Sequence, residues 1–199
     1  IRVQRTNQDQ LCRRGRRRAG RNGSHRTQQR FRAARRRHEE ALADLEAVLK
    51  AAPAFTQAHI TRGNVLLEMQ RHSEAAAAFD NALALQPANA DFLASKANAL
   101  IGLLNAKTEG SLLNVALLGQ IEKTLQEAIA ANPRFFEARK SRANVLHTLK
   151  RSGEALAEID AALVLVPNNP DAHFIRGNIL RELKRFPEAI AAYDHAIAL

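Results

Sequence analysis

Apolar residues recur at helical spacing along most of this chain, and the recurrence itself repeats. From His38, the run HEEALADLEAVLKAAP places Ala41, Leu42, Leu45, Val48 and Leu49 at i, i+1, i+4, i+7 and i+8. That is one apolar face of a helix, which Pro53 ends. Glu39 and Glu40 fall in its first turn, where the helix dipole favours negative charge. Residues 57–70 and 74–85 then predict a helix pair joined by a tight turn at Arg71–Ser73 and stopped at Pro87. Gly63 and Ala75 are small where two helices must approach, and Leu66, Phe79 and Ala82 fill the space between them. The core RGNVL of Arg62–Leu66 returns as KANAL at Lys96–Leu100, RANVL at Arg142–Leu146 and RGNIL at Arg176–Leu180, at spacings of 34, 46 and 34. One period of 34 residues, broken once by 12 extra residues, describes an array of a single helix-pair unit.

The units read 38–55 (a second helix only), 56–89, 90–135, 136–169 and 170–199. The first helix of the partial unit belongs at about residues 22–35, but its core slots hold His25, Gln28, Gln29 and Arg32, so it is expected to be degenerate or absent. The extra residues fall within about 103–120, where Thr108–Ser111 supply a turn with Ser111 as a possible N-cap. Leu112, Leu113, Val115, Ala116, Leu117 and Ile121 look helical, so the insertion is read mainly as a longer second helix. Small residue, Leu, Ala, Phe, Ala and Pro at these spacings resemble the tetratricopeptide repeat, with its pattern W-x2-L-G-x2-Y, then A-x3-F and P. His59 stands where that pattern has its first aromatic, and Arg62 where it has Leu. The resemblance implies an all-α, right-handed solenoid of stacked antiparallel helix pairs. Leu199 precedes the expected closing proline and any polar closing helix, so a fragment of a longer protein is the expectation.

Composition changes this picture in one place. The net charge of +10 looks like a nucleic-acid binder, but residues 1–37 hold 14 Arg, no Lys and one acid, while residues 38–199 hold 16 basic and 19 acidic residues. The basicity belongs to a separate Arg-rich segment, 1–37, expected to be disordered or foreign to the native protein, as when GC-rich DNA is read in another frame. A basic arm for nucleic acid is the competing reading, since Arg13–Arg18 could neutralise phosphates. Only Phe31 is interleaved with the arginines, so base stacking is poorly supported and nucleic acid is disfavoured as a partner. No apolar stretch follows the charges as in a secretory signal, and no run of about 20 apolar residues could span a membrane; a cytoplasmic location is expected. A single cysteine, Cys12, supports neither a disulfide framework nor a cysteine zinc site.

The chain carries no HExxH, GxSxG or phosphate-binding glycine loop, so no catalytic residue, metal or cofactor is expected. His59 and His173 occupy one repeat slot and are read as packing residues; Arg62, Lys96, Arg142 and Arg176 are read as long side chains with packed stems and heads in water. Within the resemblance, repeat positions 2, 5, 9, 12 and 13 face a concave peptide-binding surface. The candidates there are Gln57, Ile60, Asn64, Asn98, Lys140, Asn144, His147, Asn178 and Arg181. Asparagine fills the ninth position four times, as Asn64, Asn98, Asn144 and Asn178, and a ladder of primary amides can both donate to and accept from the backbone of an extended peptide. The competing reading is that these amides serve neighbouring helices. Lys140, Asn144 and Asn178 also resemble part of the clamp with which some family members hold a C-terminal carboxylate. The expected function is a non-catalytic scaffold binding an extended peptide or helix of a protein partner. The alternative is the substrate-recognition part of a larger enzyme, such as a bacterial glycosyltransferase resembling O-linked N-acetylglucosamine transferases.

Overall fold

The structure, a computed structural model, describes residues 32–106 and 112–199, and the described residues form nine α-helices and no strand. The chain divides into two units, residues 1–47 and 48–199. Of the first unit the described part is helical throughout; it belongs to α1 (residues 32–51), where Arg36 and Glu40 pair at 3.0 Å one turn apart. α1 is thus under way six residues before the His38 boundary drawn from the sequence: residues 32–37 are helix, while the rest of the Arg-rich segment lies outside the described residues.

In the second unit α2 (Thr56–Glu68) and α3 (His72–Leu85) form the first full pair, followed by α4 (Ala90–Asn105) and α5 (Leu112–Ala131), α6 (Phe136–Thr148) and α7 (Ser152–Leu165), and α8 (Pro170–Glu182) and α9 (Phe186–Ala198). From α2 to α9 successive helices pack on one another, which is the arrangement of a solenoid of helix hairpins. The core follows the slots read from the sequence: Leu66, Phe79, Leu146 and Leu180 are fully buried, as are Leu125 and Ile159, which take the Phe79 place in the second and third full repeats, with alanines at the close contacts. Asn89 caps α4 by accepting from the Asp91 and Phe92 amides, and Asn169 caps α8 by accepting from the Ala172 amide at 2.8 Å.

The hairpin turns are tighter than the sequence implies. Gln70, Lys150 and Lys184 each take a positive φ, near 60°, at the end of a first helix. The next residue's amide then reaches back five positions: Arg71 to Leu66 at 2.8 Å, Arg151 to Leu146 at 2.9 Å and Arg185 to Leu180 at 2.9 Å. This is the Schellman closure, which reverses the chain in one left-handed residue. Consequently α3 starts at His72, inside the stretch expected to be turn.

The insertion is divided between both helices of its repeat. α4 has 16 residues and α5 has 20, against 13 or 14 in each of the other full helices from α2 to α9. The lengthening of α5 agrees with the sequence reading; the extra turn on α4 was not anticipated. The expected Thr108–Ser111 turn and the Ser111 cap lie outside the described residues.

Candidate functional site

Where the sequence offers amides, the structure offers a groove. Between α4 and α6, the first helices of two successive repeats, two cavities adjoin and share Asn98 and Ser141. One, of about 270 Å³, is lined by Asp91, Ala94, Ser95, Phe135, Glu137 and Ala138. The other, of about 330 Å³, is lined by Ile101, Leu104, Asn105, Leu118, Asn144, Val145 and Thr148. Asn98 and Asn144 are exposed there, and among the described residues no hydrogen bond engages either side-chain amide. Helical spacing is the reason they line up: each stands in the middle of its helix, nine positions into its repeat, one residue after the buried Ala97 and Ala143 slots and so about 100° around the helix from them. Small residues, Ala94, Ser95, Ala138 and Ser141, keep the walls of the groove low. The Ser95 hydroxyl donates to the Asp91 carbonyl at 2.8 Å and keeps an acceptor lone pair for a ligand.

A third hollow, of about 560 Å³, lies against α8 and α9 and is lined by Phe174, Asn178, Arg181, Tyr193 and Ile197 among others. Phe174 is 55% exposed at its edge, with its ring 5.8 Å from that of Tyr193. Here the amide is already in use, because the Tyr193 hydroxyl donates to Asn178 Oδ1 at 2.9 Å. The fourth rung of the ladder therefore serves a neighbouring helix, as the competing reading had it.

The remaining candidates are placed as follows. Gln57, Ile60 and Asn64 stand on α2 and line none of these three cavities. Lys140 is drawn to Glu137 at 2.8 Å and lies 5.3 Å from the centre of the Phe136 ring. It shares no cavity with Asn144 or Asn178, and those two line separate ones, so the three clamp-like residues do not converge on one of these hollows. His147 Nε2 meets Glu182 of the next repeat at 2.6 Å, with Lys150 on the other carboxylate oxygen at 2.9 Å. That carboxyl is held below the ordinary glutamate range, first by the hydrogen bond from Lys150 and further by His147. Arg181 lines the third hollow.

Two sets of polar residues turn out to be structural. His59 Nε2 lies 2.9 Å from the Pro53 carbonyl, His173 Nε2 2.7 Å from that of Pro167, and Arg139 donates to that of Pro133 at 3.0 and 2.9 Å. One repeat slot thus satisfies the proline carbonyl that ends the preceding repeat. The basic row does not simply reach water. Lys96 pairs with Asp80 and Arg176 with Asp160, both at 2.6 Å, while Arg142 joins Glu158 at 2.6 Å and Glu122 at 3.1 Å. The acids 16 positions upstream were visible in the sequence for Lys96 and Arg176, and that spacing was the missed signal. Ser95 and Ser141 were missed as well, although both directly precede the repeated K/R-A-N core.

Among the described residues no cluster of three or more His, Cys, Asp or Glu could hold a metal ion, and no helix is long and apolar enough to cross a membrane. Stacked helix hairpins with an open groove along their first helices define the class of helical-repeat interaction scaffolds. Family models described as tetratricopeptide repeat match residues 56–89, 122–170 and 154–199. The chain belongs to the tetratricopeptide repeat family. No curated protein matches it. Among solved structures it is similar to MamA (TM-score 0.71, 16% identity, 81% of this chain and 87% of that one). It is also similar to YrrB, a TPR protein with an unusual peptide-binding site (0.67, 23%, 82% and 78%). A third is a thermophilic TPR protein of Thermus thermophilus, TTC0263 (0.63, 23%, 81% and 82%). At these identities the likeness is one of fold.

Proposed function

We propose that the chain is a non-catalytic scaffold that binds an extended peptide segment of a protein partner in the groove between α4 and α6. The observation that carries this is the pair of exposed, unengaged amides, Asn98 and Asn144, on the walls of two adjoining cavities. An extended peptide has an amide and a carbonyl at every residue with no internal partner, and an asparagine side chain supplies the complement of both. A partner helix has its backbone groups satisfied within itself and would leave the two amides without backbone work to do. YrrB, similar in fold, has a peptide-binding site, which is in keeping with this ligand class.

The test is a selection of displayed random dodecapeptides on the full chain, followed by calorimetry with the peptides enriched. Exchanging Asn98 and Asn144 together for Ala removes about two to four hydrogen bonds, each worth about 1 kcal/mol net, so affinity falls at least tenfold. Helicity by circular dichroism stays unchanged, because both side chains are exposed. Undiminished affinity in the double variant would move the binding surface elsewhere on the array.

A further inference from the structure

The groove between α4 and α6 has two unlike ends, and the insertion makes one of them. In the first, third and fourth full repeats the first helix closes on a left-handed residue, and an arginine follows that clasps a glutamate three positions on: Arg71 with Glu74, Arg151 with Glu154 and Arg185 with Glu188. Leu117 stands at the equivalent place in the second repeat, inside α5. α4 instead continues past Gly102 to Asn105, adding Leu104, and α5 brings Leu118 to the same cavity. Leu118 is 8% exposed and Val145 5%, with Ile101 and Leu104 half-buried around the opening. Four aliphatic side chains thus line this hollow, and the second repeat has Leu117 where the others have the clasping arginine.

At the opposite end the lining is acidic, with Asp91 and Glu137. Glu137 is satisfied by Lys140, whereas the Asp91 carboxylate has no ion-pair partner among the described residues. From Asp91 to Ile101 and Leu104 is a climb of about 15–20 Å along α4, a distance an extended chain covers in about five to six residues. Resting on the peptide-scaffold reading above, we propose that the insertion builds an aliphatic subsite, and that the ligand is an extended segment carrying an arginine or lysine about five to six residues from a leucine-like side chain. The basic residue meets Asp91, the aliphatic one enters the pocket of Leu104 and Leu118, and Asn98 and Asn144 hold the backbone between them.

Fluorescence anisotropy on the full chain tests this with labelled nonapeptides of Ser and Ala that carry Arg at the third position and Leu at the eighth. The comparison peptides replace Leu by Ser, replace Arg by Glu, or bring the two residues next to each other. The parent peptide should bind tightest. Leu104→Ser should weaken it about tenfold and leave the Ser-substituted peptide unchanged, and Asp91→Asn should abolish a discrimination of about threefold between the Arg and Glu peptides. Both positions are only partly buried or exposed, so thermal unfolding should be near that of the parent protein. If all the peptides bind alike and Asn98→Ala weakens them alike, the aliphatic and acidic subsites are refuted while the peptide reading stands. If none binds at millimolar concentration, or Asn98→Ala has no effect on any, both fail together.

Discussion

At four positions down the array the same two slots face each other across a helix hairpin, and their occupants change size together. Gly63 faces Phe79 and Gly177 faces Tyr193, while Ala97 and Ala143 share their repeats with the smaller Leu125 and Ile159. A Cβ placed on Gly63 would stand 2.7 Å from the Phe79 ring, which is itself fully buried and has little room to move. Gly63→Ala should therefore destabilise the protein by about 1–3 kcal/mol in urea unfolding, although the same change in an open helix would stabilise it. Phe79→Leu added to it should recover part of the loss, because it recreates the Ala and Leu pair of the second repeat. A loss as large in the double variant as the two single losses added would show the slots to be uncoupled. The left-handed residues admit the opposite prediction. Lys184 holds a φ of 60°, a conformation that costs a side-chain-bearing residue about 1 kcal/mol relative to glycine, so Lys184→Gly should raise the midpoint of thermal unfolding. Its backbone amide donates to the Arg181 carbonyl at 3.0 Å, a bond that glycine retains.

The elements themselves were legible because their periodicity was carried by the core. Leu66, Phe79, Leu146 and Leu180 were placed by spacing alone, and all are buried. The helix starts were less legible, since Gln70, Lys150 and Lys184 are not residues that announce a left-handed turn, and His72 and Ser73 read as loop until that turn is known. For the site, the ninth-position asparagines were visible but their differing fates were not: whether an amide is free depends on the residue opposite, and only the fourth repeat sets Tyr193 against Asn178. Leu104 and Leu118 could not be assigned to the groove without knowing how the insertion divides between two helices. One feature of the elements titrates. Glu74, Glu154 and Glu188 are all held below the ordinary value of 4.5, first by the hydrogen bond from the arginine three residues before each. A depressed folded-state pKa contributes stability that is present above the unfolded value and disappears as pH falls through the folded one. Stability should accordingly decline below about pH 4.5, and replacing all three glutamates by Gln should flatten that part of an acid titration followed by circular dichroism. These groups are exposed, so the flattening should be reduced in high salt.

At the scale of the whole array, stability is a sum of repeats and of the junctions between them, and the junctions are not alike. The first two full repeats are joined through Lys96 and Asp80, and the last two through Arg176 and Asp160. At the middle junction the acid 16 positions before Arg142 is missing, since Gln126 stands there, and the arginine turns to Glu122 one helical turn earlier and to Glu158 in its own repeat. Glu158 also receives Arg139 at 2.6 Å, and Glu122 receives Arg151 at 3.3 Å. The side chain of Glu122 is 18% exposed and that of Arg142 17%, so this link is drier than the turn clasps. Removing Glu122, the acid that crosses this junction, takes a partner from both Arg142 and Arg151, which costs about 1–3 kcal/mol, between the values for exposed and for buried pairs. Because the loss falls on a junction, it should also change how the array unfolds. Glu122→Ala should convert one urea transition into two, with amide exchange showing that α2 to α5 and α6 to α9 open separately. Glu122→Gln, which retains a hydrogen-bonding oxygen for one arginine, should give an intermediate destabilisation. The groove spans this very junction, with Asn98 on one side and Asn144 on the other, so a bound peptide should oppose the separation. A single transition in Glu122→Ala, unaltered by ligand, would show that the hydrophobic contacts between α5 and α6 couple the two halves without the charges.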